Sequence, residues 1–420
     1  MHYFDYRLGE LYCEEVPIKK IAEEVGTPFY CYSHGTLLRH YNVFDHSFEK
    51  VPHIVCFAVK ANSNLAVLKL FARQGGGADI VSGGELYRAQ KAGIPPGKIV
   101  YAGVGKTRQE IISALKAGIL MFNVESSQEL LTIDSIASEM GVKAPIALRI
   151  NPNVDPQTHP YVSTGLKENK FGISHTTVLE EYKLAISLKN IDVVGVHKHI
   201  GSQITMVSPF VDALEKTIDI VEKLKEGGIN IKYIDIGGGL GITYEDEAPP
   251  QPNDLAKAIE PLLLKSGCTI IFEPGRVIVG NAGILVATVL YSKKNDDKTF
   301  FIVDAAMNDL ARPSLYNSYH GIAPVEMEVN AREKIVADIV GPICESGDFL
   351  AKDRTLPNYK PGDLMSIMSS GAYGFSMSSN YNSRPRVAEV MVNGDRFDVV
   401  RAREKVEDLV NGEVIPEYLE

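Results

Sequence analysis

The stretch His53-Ile-Val-Cys-Phe-Ala-Val-Lys60-Ala-Asn62 is an apolar, β-branched run that ends abruptly in a lysine. A short continuous apolar run of this kind reads as a buried strand. It delivers one ammonium group at the strand's carboxyl end, a natural position for a reactive amine. Taken alone, Lys60 favours a second reading: it marks the point where a strand leaves the core and meets water.

Outward from this stretch the same texture recurs. Apolar runs stand at Ile54 to Val59, Ala78 to Val81, Ile99 to Tyr101, Met121 to Val124, Ile146 to Ile150, Val193 to Val196, Tyr233 to Ile236 and Thr269 to Phe272. Between them lie amphipathic segments such as Gly84 to Ala92, Thr107 to Ala117, Ser126 to Met140, Thr177 to Leu188, Ser208 to Lys225 and Asn253 to Lys265. Eight strands alternating with helices predict an α/β chain built on a (β/α)8 TIM barrel. Periodicity counts strands without closing them, so a doubly wound sheet stays open as the alternative. Before the barrel, residues 1 to 33 read as short strands and a turn, and Ser33 caps a helix running to about Glu49. After Asn281 the strand-like runs Ile284 to Tyr291, Thr299 to Val303, Glu333 to Val340 and Arg386 to Asn393 are separated by Gly, Pro, Asn and Asp, which predicts a β-rich domain. The expected layout is a barrel over 34–281 and a β-sandwich or β-barrel domain over 282–420 joined by the strands of 1–33.

A chain of 420 residues suits two domains or a large barrel with an appendage. The formal charge of -10 argues against nucleic acid, whose phosphates call for clustered Lys and Arg. A small molecule is the expected ligand. The five cysteines, Cys13, Cys31, Cys56, Cys268 and Cys344, lack CxxC spacing, so neither a disulfide framework nor a zinc site is indicated. No metal is expected. Cys56 and Cys268 sit within apolar runs as core residues. The amino terminus has no basic segment followed by an apolar one, and no run approaches the roughly 18 apolar residues of a membrane helix. These features predict a soluble cytoplasmic protein without membrane association.

In a TIM barrel the active site lies at the carboxyl ends of the strands. Lys60 follows the first strand, Ser82-Gly-Gly-Glu85 the second, Arg149 ends the fifth, and His197-Lys-His199-Ile-Gly-Ser202-Gln203 follows the sixth. Gly237-Gly-Gly239-Leu-Gly241 follows the seventh and Glu273-Pro274-Gly275-Arg276 the eighth. The glycine loop either lets backbone N–H groups approach a phosphate or only turns tightly. It does not match G-x-G-x-x-G, which disfavours a dinucleotide site. Gly103-Val-Gly105-Lys106-Thr107 resembles the end of a P-loop, but position 100 is Val100 where the leading glycine belongs. Glu273 and Arg276 either pair with each other or serve separately, the carboxylate on a pyridine nitrogen and the guanidinium on a carboxylate. One ring in the site, rather than two ligands on one ion, is the expectation for His197 and His199. A lysine, a phosphate cradle, a ring-stacking histidine and a carboxylate for a pyridinium together describe a pyridoxal phosphate site. A neutral amine on Lys60, favoured by burial and by a nearby cation such as Arg149, completes that reading.

The motifs Phe57-Ala-Val-Lys60-Ala-Asn62, Val196-His-Lys-His199-Ile-Gly-Ser-Gln203, Asp235-Ile-Gly-Gly-Gly239 and Phe272-Glu-Pro-Gly-Arg276 resemble those of the alanine-racemase-fold pyridoxal phosphate decarboxylases. Ala311-Arg312-Pro-Ser-Leu-Tyr316, Gly341-Pro-Ile-Cys344-Glu345-Ser-Gly-Asp348 and Gly371-Ala-Tyr373-Gly resemble the branch that acts on diaminopimelate. The resemblance runs in order over nearly the whole chain. It implies a barrel plus β-domain fold, a homodimer with shared active sites, pyridoxal 5'-phosphate as cofactor, and an amino-acid substrate. The implied reaction is decarboxylation of meso-2,6-diaminopimelate to L-lysine, the last step of lysine synthesis. By motif, Lys60 would hold the cofactor and His199 would stack on its ring. Ser202, Gly239 and the backbone of Glu273, Pro274, Gly275 and Arg276 would surround the phosphate, with the Glu273 side chain on the pyridine nitrogen. Arg276, Arg312 and Tyr316 would bind the substrate's distal carboxylate and Glu345 its distal ammonium. Tyr373 would lie against cofactor and substrate, and the partner's Cys344 would donate the proton. Two alternatives stay open: a related decarboxylase acting on ornithine, arginine or carboxynorspermidine, and a non-catalytic pyridoxal phosphate carrier. Asn151 to Phe171 is long enough to move as a lid.

Overall fold

The computed structural model describes residues 2–155 and 170–419. The expected lid segment Asn151 to Phe171 lies largely outside them. The chain divides into two compact units, Leu38–Ile278 and Met1–Leu37 with Val279–Glu420.

The first unit is a closed barrel of parallel strands: β1 (His53–Ala58), β2 (Gly77–Ile80), β3 (Ile99–Tyr101), β4 (Met121–Val124), β5 (Ala144–Asn151), β6 (Ile191–Lys198), β7 (Tyr233–Asp235) and β8 (Thr269–Phe272). Each strand pairs with the next, and β8 pairs back onto β1, which closes the ring. The doubly wound alternative is thereby excluded. A short strand, Ile173–Ser174, adds to β5.

Local chemistry sets the alternation. Thr107 caps the helix Arg108–Ala117 in a capping box with Glu110, and Ser82 and Ser126 cap their helices by accepting from the backbone N–H groups of Glu85 and Glu129. Gly93, Gly118 and Gly141 end the same three helices in the left-handed conformation, where a side chain would be strained. The P-loop look-alike thus has a structural explanation. Thr107 is the cap, and the buried side chain of Lys106 bonds Glu129 at 2.7 Å and the carbonyls of Gly103 and Asn123 at 2.9 and 2.8 Å.

The barrel interior is layered. Cys56, Val100, Met121, Ala147, Val194 and Ile271, from six different strands, form a dry apolar plug. Burial raises the Cys56 thiol well above its ordinary value, which leaves it the inert core residue expected. Above this plug, toward the carboxyl ends, polar residues replace apolar ones.

The second unit is β-rich. Its long path runs Phe349–Pro357, Lys334–Val340, Lys298–Val303, Gly283–Asn295, Phe29–Ser33, Ala388–Asn393 and Arg396–Arg401. The amino-terminal strand Phe29–Ser33 therefore lies inside this sheet, antiparallel to Gly283–Asn295 and parallel to Ala388–Asn393. Leu364–Ile367 pairs with Gly283–Asn295 and with Ile322–Pro324. The reading of residues 1 to 33 as strands and a turn needs one correction: Ile18–Val25 is a helix. Ile18, Ile21, Ala22 and Val25 recur with helical spacing and pack on the unit's apolar core, and Gly26 at φ 75° ends the helix.

Candidate active site

Lys60 sits in a single 3-10 turn, Val59–Ala61, immediately beyond β1. Its Nζ donates to Oδ2 of Asp79 at 2.7 Å. Asp79 pairs in register with Ala58 and is fully buried. Burial and the neighbouring Glu273 raise its carboxyl to about 7, against the opposing pull of Lys60. Lys60 thus faces a carboxylate poised near neutrality.

Arg149, expected near Lys60, is itself paired. The Arg149 guanidinium bonds Glu125 at 2.7 Å, and both side chains are buried. The other Glu125 oxygen accepts from the Gly172 N–H at 2.8 Å, and Arg149 lies over the Phe171 ring at 4.7 Å.

Across the barrel, Glu273, Asp235, His197 and Asn123 converge. Asn123 bridges the two carboxylates, donating to Asp235 at 3.0 Å and to Glu273 at 3.3 Å. His197 Nε2 is 3.6 Å from Glu273 and too far for a hydrogen bond. Two buried carboxylates this close cannot both be ionised without a large cost. Burial and Glu273 push Asp235 well above the usual range, so it keeps its proton. Burial acts to raise Glu273 as well, but the His197 ring in its protonated form and the Lys60 ammonium outweigh it and hold this carboxyl below the usual range. Glu273 is therefore the ionised member. Burial lowers the His197 ring below its ordinary value, with Glu273 pulling the other way. Both ring nitrogens lack a hydrogen-bond partner among the described residues, so burial dominates and the ring is neutral. His197, Asp235 and Glu273 could geometrically ligate a metal ion, but Asn123 already bridges the two carboxylates and Glu273 feels the Lys60 ammonium.

The glycine loop closes one side of the rim. Gly237 and Gly239 have φ values of 69° and 117°, and a Cβ at Gly238 would lie 2.2 Å from the carbonyl oxygen of Glu273. Only glycine fits this cradle. Gly238 N–H donates to Nδ1 of His199 at 3.3 Å, which leaves Nε2 as the protonated nitrogen of that ring. Burial, Arg149 and Lys60 keep His199 neutral, well below its ordinary value. The expectation of a single ring in the site is corrected: His197 and His199 are two residues apart, and both turn to the rim, one to Glu273 and one to the glycine loop. Beside the loop, Arg276 donates to the Ser202 hydroxyl at 3.1 Å and to the Tyr244 hydroxyl at 2.6 Å. Glu273 and Arg276 therefore turn to separate partners rather than to each other.

Residues 34–280 match the family described as pyridoxal-dependent decarboxylase, pyridoxal binding domain. The diaminopimelate decarboxylase of Vibrio cholerae is 52% identical over 97% of this chain and 98% of its own. The chain belongs to the diaminopimelate decarboxylases. Among solved structures, the Helicobacter pylori diaminopimelate decarboxylase complexed with L-lysine is 46% identical at a TM-score of 0.90, over 94% of this chain and 98% of that one. The M. jannaschii diaminopimelate decarboxylase in co-complex with L-lysine is 40% identical at a TM-score of 0.94, over 99% of each chain. This decarboxylase uses pyridoxal 5'-phosphate and converts diaminopimelate to lysine.

The barrel rim fits that cofactor. A buried polar atom without a partner is costly, and Asp79 Oδ1, Asn123 Oδ1 and both His197 nitrogens are such atoms. They belong to the residues around Lys60 and Glu273, beside a cradle that a Cβ at Gly237, Gly238 or Gly239 would fill. The structure thus brings together Lys60, Arg149, His199, Ser202, Gly239, Glu273, Pro274, Gly275 and Arg276 in the barrel unit. Arg312, Tyr316, Cys344, Glu345 and Tyr373 lie in the β-rich unit. There Arg312 is buried, whereas Cys344 and Glu345 are exposed. Asp348 fixes their loop by accepting from the N–H groups of Ile343 and Met307, both at 2.8 Å. Tyr373 adopts φ 56°, an unusual backbone conformation for a tyrosine.

Sequence reading missed Asp79, Asn123, Glu125, Asp235 and Tyr244. A signal existed for three of them: Gly77-Ala-Asp-Ile80, Met121-Phe-Asn-Val124 and Tyr233-Ile-Asp235 each place one polar residue near the carboxyl end of an otherwise apolar strand. A buried polar residue there is costly unless a site uses it.

Proposed function

We propose that the decarboxylase acts on the meso isomer of diaminopimelate through residues of the barrel rim together with Arg312, Tyr316, Cys344, Glu345 and Tyr373. The observation that carries the barrel assignments is the arrangement on the rim: Lys60 donates to Asp79 at 2.7 Å, Asn123 holds Glu273 at 3.3 Å, and the glycine loop closes against the Glu273 backbone.

Pyridoxal phosphate, when bound, supplies an electron sink for the bond to the departing carboxylate. Glu273 then serves as the anion that keeps the pyridine nitrogen protonated, and Asp235 and Asn123 hold it in place. Lys60 is the anchoring amine. A lysine must be neutral to act as a nucleophile, and Asp79 Oδ2 at 2.7 Å is placed to take the proton from Nζ and return it. The glycine loop with Ser202 and the backbone of residues 273 to 276 holds the phosphate, and neutral His199 lies against the ring. Arg276, Arg312 and Tyr316 orient the substrate by its remaining carboxylate, and Glu345 receives the distal ammonium. Tyr373 lies against cofactor and substrate. The thiol of the partner's Cys344 delivers a proton to the carbon from which carbon dioxide has left. Its exposure supports this role, since the other four cysteines are buried. A free exposed thiol also suits a reducing cytoplasm. Among the described residues no helix is long and apolar enough to cross a membrane.

Borohydride reduction followed by peptide mapping tests the central assignment: the pyridoxyl group is expected on Lys60, and its recovery on another lysine refutes the scheme. Mixing Lys60→Ala with Cys344→Ala subunits tests the shared site. A dimer whose sites combine Lys60 of one subunit with Cys344 of the other should regain up to about a quarter of the activity; no recovery on mixing would place both residues in sites of a single chain.

A further inference from the structure

Arg312 opens the short helix Arg312–Tyr316, and its guanidinium is buried at 6% exposure. Nη1 lies 2.9 Å from Nε2 of His320, and Nη2 lies 3.3 Å from the Ser318 hydroxyl. A guanidinium only donates, so Nε2 of His320 accepts and carries no proton. The other ring nitrogen, Nδ1, is 2.8 Å from the carbonyl oxygen of Met368, which only accepts. Two one-way partners therefore fix a single neutral tautomer on His320.

The ring is clamped as well as oriented. His320 is fully buried, and its carbonyl accepts from Arg354 Nη1 at 3.0 Å, while Arg354 stacks on the neighbouring Tyr319 ring at 3.7 Å. Met368 N–H donates to the Gly321 carbonyl at 2.8 Å, and the following strand Ile322–Pro324 pairs with Leu364–Ile367. The chain on both sides of the His320–Met368 bond is thus held by the sheet. His320 and Ser318 are neutral acceptors. They direct the guanidinium of Arg312 and do not themselves cancel its charge, which is what a carboxylate-reading arginine requires.

We propose that His320, assisted by Ser318, is a positioning residue that aims Arg312 at the substrate carboxylate that is not removed, and so sets the preference for ligands that carry it. This rests on the substrate-binding role assigned to Arg312 above. The product L-lysine retains that carboxylate, whereas cadaverine, the corresponding diamine, lacks it. Inhibition constants of both amines against the holoenzyme therefore isolate the contact. His320→Leu is expected to weaken L-lysine by about tenfold and cadaverine by less than about twofold, and to raise KM for diaminopimelate more than it lowers kcat. Ser318→Ala, at a half-buried position that tolerates truncation, should weaken L-lysine selectively by about threefold. His320→Gln, whose amide oxygen can accept from Arg312, should recover part of the loss. Equal weakening of both amines, or none, in His320→Leu overturns the proposal; if that variant does not fold, Ser318→Ala decides by the same criterion. Arg312→Ala separates the two levels of the argument. An unchanged lysine-to-cadaverine ratio in that variant refutes the role of Arg312 itself, whereas a collapsed ratio there with normal ratios in the His320 and Ser318 variants refutes only the positioning.

Discussion

Replacing Lys198 should stabilise this protein, and the gain should depend on pH. His197 points into the barrel, so its neighbour on β6 points outward, against the helix Ser208–Glu226. There Lys198 is 1% exposed, with its ammonium 5.7 Å from the centre of the Phe210 ring. Burial lowers its pKa from 10.5 to about 8. At about 1.4 kcal/mol per pKa unit, that shift corresponds to a folding penalty of roughly 3 kcal/mol. Below about pH 8 the lysine is charged in both states and the folded chain bears the whole penalty. Between about 8 and 10.5 the folded chain has lost the proton that the unfolded chain still holds, so stability rises with pH until the penalty is gone. Lys198→Met keeps the unbranched shape and removes the charge. It also forfeits the contact with Phe210, worth about 1 kcal/mol, for a net gain of about 2 kcal/mol at pH 7. Urea midpoints followed by far-ultraviolet circular dichroism at pH 7 and pH 10 would measure this. The variant should unfold at higher urea at pH 7, and its lead should be lost by pH 10. A variant no more stable than the parent at pH 7, or a lead that does not change with pH, would refute the reasoning.

Three further outcomes follow from the same geometry. Asp235→Asn replaces a carboxyl that holds its proton when folded, so the parent should lose stability relative to the variant as pH rises above the ordinary carboxylate range, read from melting temperatures at pH 4.5 and 8. Gly238→Ala drives a Cβ against the Glu273 carbonyl and should weaken pyridoxal phosphate binding by more than about tenfold, measured by absorbance titration of the apoprotein. Cys344→Ala should slow turnover by roughly 10²- to 10⁴-fold while leaving the cofactor absorbance intact, and full activity in that variant would remove Cys344 from the proton-donor role.

Much of this enzyme was legible in the chain. Strand and helix positions followed from apolar period and from Ser/Thr caps and glycine stops, because these signals act over a few residues. The rim residues Lys60, His199, Gly239, Glu273 and Arg276 could be ranked as a set because a parallel barrel puts every strand's carboxyl end on one face. The helix Ile18–Val25 was harder to read because its eight residues hold too few turns to separate a helical period from an alternating one.

What the sequence determined by itself is therefore the alternation of elements, the rim and the family to which the chain belongs. What only the tertiary structure decided is which charges meet. Asp79 against Lys60, Glu125 against Arg149, Asn123 between Asp235 and Glu273, and His320 against Arg312 join positions from 8 to 150 residues apart. The electrostatics of a buried group depend on distances of a few ångströms and on the water it has lost. Neither quantity is written in local sequence, so Lys60 was recognisable as an amine at a strand end, while the carboxyl that governs its proton was not.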